Sequence, residues 1–142
     1  TVSRYIDETY IEDDFVKIEM HNKINDIETN ANINDLLLEF KDRFGEYDEE
    51  LEIYMYERLF EKLSAKIGGE RLIESKTNVT LVLSEDASKK IAGDQLFSAG
   101  IEISKYIRFA YRSGKIQIIL DTVGSERHWL LTMVGFLEKI TS

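Results

Sequence analysis

The sequence contains no cysteine, no proline and two histidines, and it has no apolar run of the roughly 18 residues that a membrane helix requires. Without cysteine there is neither a disulfide nor a thiolate metal site. Without proline no strand is demoted, and the chain must mark its turns with glycine, asparagine and serine instead. A charged-then-apolar leader is also missing, so the chain is expected to be soluble and cytoplasmic, neither spanning nor crossing a membrane. It begins at Thr1 rather than at methionine, as a piece of a longer protein would.

Catalytic signatures are missing too. His21 and His128 have no second ligand at the spacing of an H-E-x-x-H zinc site. No serine stands in a G-x-S-x-G context, and Gly68-Gly69 is not followed by the lysine and hydroxyl of a phosphate loop. The densest polar cluster, Asp7, Glu8, Glu12, Asp13 and Asp14, precedes a helical stretch, where acids offset the helix dipole; no D-x-D-x-D-G calcium loop is present. We therefore expect no enzyme, no metal and no cofactor in these residues.

What is present is the composition of a soluble globular chain: 142 residues, 43% hydrophobic and 32% charged, expected to form one domain. Its charge is unevenly spread. Residues 1–60 carry 17 acids against 6 bases, a net of −11, and residues 61–142 carry 10 acids against 12 bases, a net of +2. An acidic half is a poor match for phosphates and a better one for a basic protein surface.

Residues 1–67 read as an entry segment from Tyr5 to Tyr10 and three helices. The first, capped by Asp13 or Asp14, runs to about Ile27 with Val16, Met20, Ile24 and Ile27 as its stripe. The third, capped by Asp48, spans Glu49 to Ile67 and is apolar on more than one side, so it should pack against two neighbours. Past Gly68-Gly69 the period changes from 3.6 to 2. Arg71 to Glu74 and Asn78 to Ser84 form one hairpin; Ile107 to Arg112 and Lys115 to Asp121 form another across Ser113-Gly114. Between them lie two helical pieces, Ser84 to Ala92 and Asp94 to Lys105, with Phe97 and Ile101 facing inward. Ser125 is expected to cap a last helix carrying Trp129, Met133, Phe136, Leu137 and Ile140. The predicted class is α+β: three N-terminal helices, then two hairpin-plus-helix units in residues 68–142 making a mainly antiparallel sheet covered on one face by helices.

The second helix organises the first half. Asn32 serves as its predicted N-cap and Gly45 as its C-terminal stop. At 100° per residue Ile33, Leu36, Leu37, Phe40 and Phe44 share one side, while Asp35, Glu39 and Asp42 align on the opposite one. Three like charges at these spacings repel one another, a cost that a basic partner would offset with bidentate arginines.

These same residues carry a resemblance. L-x-x-E-F-K-D-R-F-G at Leu36 to Gly45, preceded by Y-I-x-x-x-Y-I at Tyr5 to Ile11 and K-I-E-M-H-N-K-I at Lys17 to Ile24, resembles the C-terminal domain of bacterial transcription-repair coupling factors. The likeness runs through nearly the whole chain in element order and is most specific in the first half. Where that family has proline this chain has Asp7, and Glu46, Tyr47 and Asp48 stand where another follows the D-R-F-G glycine.

The resemblance implies a non-catalytic regulatory domain of a large ATP-dependent DNA translocase that removes stalled RNA polymerase and recruits nucleotide-excision repair. It implies docking onto the N-terminal module of the same protein, masking the surface for the damage-recognition ATPase. The family's acidic positions fall on Glu39 and Asp42, joined here by Asp35; Arg43, with Phe44 and Gly45, is expected to orient the helix end or to pair within the domain. A competing reading is a nucleic-acid module built on Lys89, Lys90, Lys105, Arg108, Arg112 and Lys115, with direct DNA contact the less expected of the two.

Overall fold

The computed structural model describes residues 6–142, so the Tyr5 start of the entry segment lies outside the described residues. Helix α1 spans Asp14–Asn25, and its N-cap is Asp13, whose carboxylate accepts from the Phe15 and Val16 amides at 2.9 and 3.1 Å. Helix α2 spans Asn30–Phe44. Its cap is Thr29 rather than Asn32: the Thr29 hydroxyl accepts from the Asn32 amide while the Asn32 side chain accepts from the Thr29 amide, a reciprocal box. T-N-A-N offers several competent caps, and the pair that satisfies two orphan amides together wins. Helix α3 covers Glu49–Ile67, with Asp48 accepting from the Leu51 amide.

By internal contacts the chain divides into two compact units, one ending at Leu59 and the other beginning at Phe60, so the division falls within α3 rather than at Gly68. In the first unit, α3 meets α1 through Tyr54, whose hydroxyl lies 2.8 Å from His21 Nδ1, and meets the start of α2 through Tyr56, which donates to Asn30. Burial, with Lys17 and Arg58 nearby, holds the His21 imidazole below its ordinary range, so it is neutral at pH 7.

The second unit holds a four-stranded antiparallel sheet in the order β1-β2-β4-β3. Its strands are β1 (Gly69–Glu74), β2 (Asn78–Leu83), β3 (Ile107–Arg112) and β4 (Lys115–Asp121). Ser113 and Gly114 both have positive φ, 54° and 79°, the primed turn that matches the twist of its strands. The helices are α4 (Glu85–Lys90), α5 (Gly93–Ile103) and α6 (Trp129–Thr141). Helices α5 and α6 meet the sheet face bearing Phe109, whose ring lies 5.3 Å from Phe97 and 5.7 Å from Phe136. On the opposite face Thr80, Val82 and Ile119 are also buried, so β2 and β4 are shielded from water on both sides.

Two further details differ from the sequence pattern. Phe97 and Ile101 of α5 are 59% and 81% exposed; Leu96, Ala99 and Gly100 face inward instead. Gly100 decides this, because a Cβ there would stand 3.1 Å from the Phe109 ring, and only the glycine side of the helix can approach β3 so closely. Helix α6 is capped by His128, which accepts from the Leu130 amide at 3.1 Å, not by Ser125. Ser125 belongs to the preceding turn, its amide bonded to Thr122 O beside Gly124 at φ 88°.

Candidate functional site

The D-R-F-G end of α2 is a packed knot. Phe40 is fully buried, stacked on Tyr10 at 6.2 Å and 5.9 Å from Phe44, and Phe44 meets Tyr10 edge-on. Tyr10 Oη shares its proton between Gly45 O at 2.8 Å and Phe40 O at 3.2 Å, the shorter bond going to a carbonyl that the end of the helix leaves open. Burial raises the Tyr10 phenol above its ordinary range, which keeps it a donor at neutral pH. Gly45 adopts φ 89°, stopping the helix there. The entry segment and the motif are thus one structural device.

The acidic stripe is split. Asp35 and Asp42 are exposed, and neither has an ion pair among the described residues. Glu39 differs from the expectation of a bare carboxylate. Its Oε2 accepts from Lys23 Nζ at 2.6 Å and from Arg43 Nη1 at 2.8 Å. The helical wheel places Glu39 correctly on the outer flank of α2, but α1 runs alongside that flank and brings Lys23 to it. Arg43 pairs within the chain as expected, adding Glu19 at 3.3 Å, the Met20 sulfur at 3.4 Å and a position over the Phe44 ring. Glu39 and Arg43 are therefore ties between α1 and α2.

Between the two unpaired carboxylates lies a residue the sequence reading passed over. Leu38 is 68% exposed, at spacings of three and four from Asp35 and Asp42, so the three side chains form one outward ridge. Beside it, an open hollow of about 280 Å³ is lined by Lys23, Asp26, Ile27, Asn32, Asp35, Leu36 and Glu39. With Glu39 already held by Lys23 and Arg43, Asp26 and Asp35 make it electronegative, and Ile27 and Leu36 give it an apolar wall. A lysine or arginine side chain suits both properties.

The hydrogen bond from Lys23, followed by that from Arg43, holds the Glu39 carboxyl below the ordinary value of 4.5. A depressed carboxylate stabilises the fold above the unfolded pKa, and that contribution is lost as pH falls through the folded one. Glu39→Gln is thus expected to lower the urea midpoint at pH 7, with the parent and variant curves converging as the pH drops below about 4.5. Parallel curves down to pH 3 would remove the tie.

Elsewhere the polar residues have structural work. Asp7 accepts from the Thr9 amide and hydroxyl at 2.7 and 2.6 Å, and Asp13 caps α1. Among the described residues no three His, Asp or Glu side chains are grouped as a metal site, and no helix is long and apolar enough to cross a membrane. Of the six basic residues of the nucleic-acid reading, Lys89, Arg108 and Lys115 pair with Glu85, Asp121 and Glu70.

Comparison with known proteins bears on the same residues. The family model described as TRCF domain matches residues 1–93. The chain is 36% identical over 138 residues to the transcription-repair-coupling factor of Bacillus subtilis (strain 168), covering 96% of this chain and 12% of that protein. It is 27% identical over 131 residues to that of Staphylococcus haemolyticus (strain JCSC1435), covering 89% of this chain and 10% of that protein. The fold is similar to the crystal structure of the C-terminal domain of transcription-repair coupling factor, with a TM-score of 0.77 at 22% identity over 98% of this chain and 87% of that one. The chain accordingly spans about a tenth of the length of these curated relatives. With the D-R-F-G motif inside the matched residues and the B. subtilis identity extending along almost all of its length, the chain belongs to the TRCF domain family of transcription-repair coupling factors.

Proposed function

We propose that this domain is a non-catalytic, autoinhibitory element at the C-terminal end of an ATP-dependent DNA translocase that displaces stalled RNA polymerase and recruits nucleotide-excision repair. The ridge of Asp35, Leu38 and Asp42 docks onto a basic N-terminal module of the same protein, and the docked state masks the surface for the damage-recognition ATPase. The observation that carries this reading is the pair of exposed carboxylates, without ion pairs among the described residues, flanking an exposed leucine on one ridge. An apolar anchor ringed by charges gives both affinity and register. Glu39 enters differently from its neighbours, holding α1 against α2 and shaping the wall of the hollow that receives a basic side chain.

Such a contact has to be reversible. Rim charges separated by water contribute little each, so the docked state is held by a modest free energy that motor rearrangement can overcome. Titrating this chain into the isolated N-terminal module should give binding that weakens about tenfold between roughly 50 and roughly 300 mM salt. Absence of binding, or binding indifferent to salt, would sink the electrostatic reading.

A further inference from the structure

A second surface, within the second unit, has the features of a recognition edge. Strand β3 ends the sheet, and its outer side is unpaired among the described residues. The two-residue Ser113-Gly114 turn makes Arg112 and Lys115 a hydrogen-bonded pair, so Ala110 with Gln117 and Arg108 with Ile119 are the next ones. The N–H and C=O groups of Phe109 and Tyr111 therefore point outward to the open edge. Next to them, Phe97 and Ile101 sit one turn apart on α5, with Phe97 against Phe109 at 5.3 Å, and Tyr111 continues the same sheet face at 65% exposure. On the other face of β3 stand Arg108, shared with Asp121, and Arg112, which has no ion pair among the described residues.

We propose that the β3 edge receives an extended segment of another protein in which apolar and acidic residues alternate. Residues directly opposite one another in a sheet share a face. Those of the incoming strand opposite Phe109 and Tyr111 thus lie beside Phe97 and Ile101 and must be apolar. The residue between them falls on the Arg108 and Arg112 side, where a carboxylate is favoured. Main-chain bonds to Phe109 and Tyr111 supply affinity, and the alternation supplies choice. A second copy of this chain is disfavoured in the register centred on Ala110, which sets Arg108 against Arg112 twice, because like charges opposite each other are destabilising. This surface does not depend on the docking proposed for α2.

The test uses the 142-residue chain and three probes: a peptide of about nine residues alternating valine with aspartate, its valine–lysine counterpart, and a single-stranded DNA of about a dozen nucleotides. The valine–aspartate peptide should bind saturably and slow hydrogen exchange at the Phe109 and Tyr111 amides. Arg112→Glu should weaken that peptide about tenfold and admit the lysine peptide. Tyr111→Pro removes an outward N–H and no ladder bond, so it should abolish binding while leaving the melting temperature near that of the parent. Equal binding of both peptides, preference for the DNA, indifference to Arg112→Glu, or protection at Phe109 and Tyr111 that rises with protein concentration alone would each overturn the proposal.

Discussion

On the docking proposed above, Asp35→Lys combined with Asp42→Lys in the full-length protein should raise basal ATP hydrolysis and tighten binding of the damage-recognition ATPase, each by about 30- to 150-fold where docking limits them. Each reversal would exchange an attraction for a repulsion at the proposed basic face, a change of about 1–1.5 kcal/mol at a partly hydrated contact. Two together shift the docked–undocked equilibrium by about 2–3 kcal/mol, the range in which one state gives way to the other. Both carboxylates are exposed, so the variant should melt close to the parent, which separates loss of docking from loss of fold. Leu38→Ala tests the apolar part of the ridge alone and should move both readouts in the same direction by a smaller factor. If the double reversal leaves ATP hydrolysis and partner binding at parental levels, the ridge does not restrain the motor.

Why the ridge contains Leu38 and excludes Glu39 is also why sequence reading stops where it does. A helical wheel sorts residues by azimuth, and on that basis Asp35, Glu39 and Asp42 belong together. It carries no information about which flank a neighbouring helix occupies, and the tie from Lys23 to Glu39 crosses 16 positions of sequence to reach its partner. Leu38 disappears for a related cause: within the run Leu36-Leu37-Leu38 the apolar signal is continuous, and only packing shows that two leucines are buried and the third is not. Local signals with a single solution survived well. The Ser113-Gly114 turn, the cap at Asp48 and the stop at Gly45 are each fixed by one or two residues whose backbone or side chain permits little else. Signals with several solutions did not, as in the choice among Thr29, Asn30 and Asn32 at the start of α2, or the inward side of α5, where a glycine's lack of bulk outweighed two large apolar residues.

Phe40→Ala is expected to destabilise the chain by about 3–5 kcal/mol, the range for a fully buried aromatic whose cavity collapses poorly. The loss should be at the upper end, because the Phe40 ring is wedged between Tyr10 and Phe44 and both neighbours depend on it for position. Removing it leaves Tyr10 without its stacking partner, and the hydroxyl that serves Gly45 O and Phe40 O loses its aim. The end of α2 then keeps its glycine stop but not its acceptor satisfaction, so truncation of one ring also frays a helix end. Tyr10→Phe isolates the second effect, removing the hydroxyl while retaining the ring, and should cost about 1 kcal/mol. Phe40→Leu should fall between the two variants, since it restores most of the volume in a different shape. Urea unfolding of the three variants orders these costs. A Phe40→Ala midpoint no lower than that of Tyr10→Phe would mean that the D-R-F-G end is held by its hydrogen bonds rather than by aromatic packing, and that its resemblance to the family lies in the backbone. The opposite order makes the motif a folding device that sets α2 in place, with Asp42 inside it and Leu38 and Asp35 one and two turns before it, all dependent on it for position.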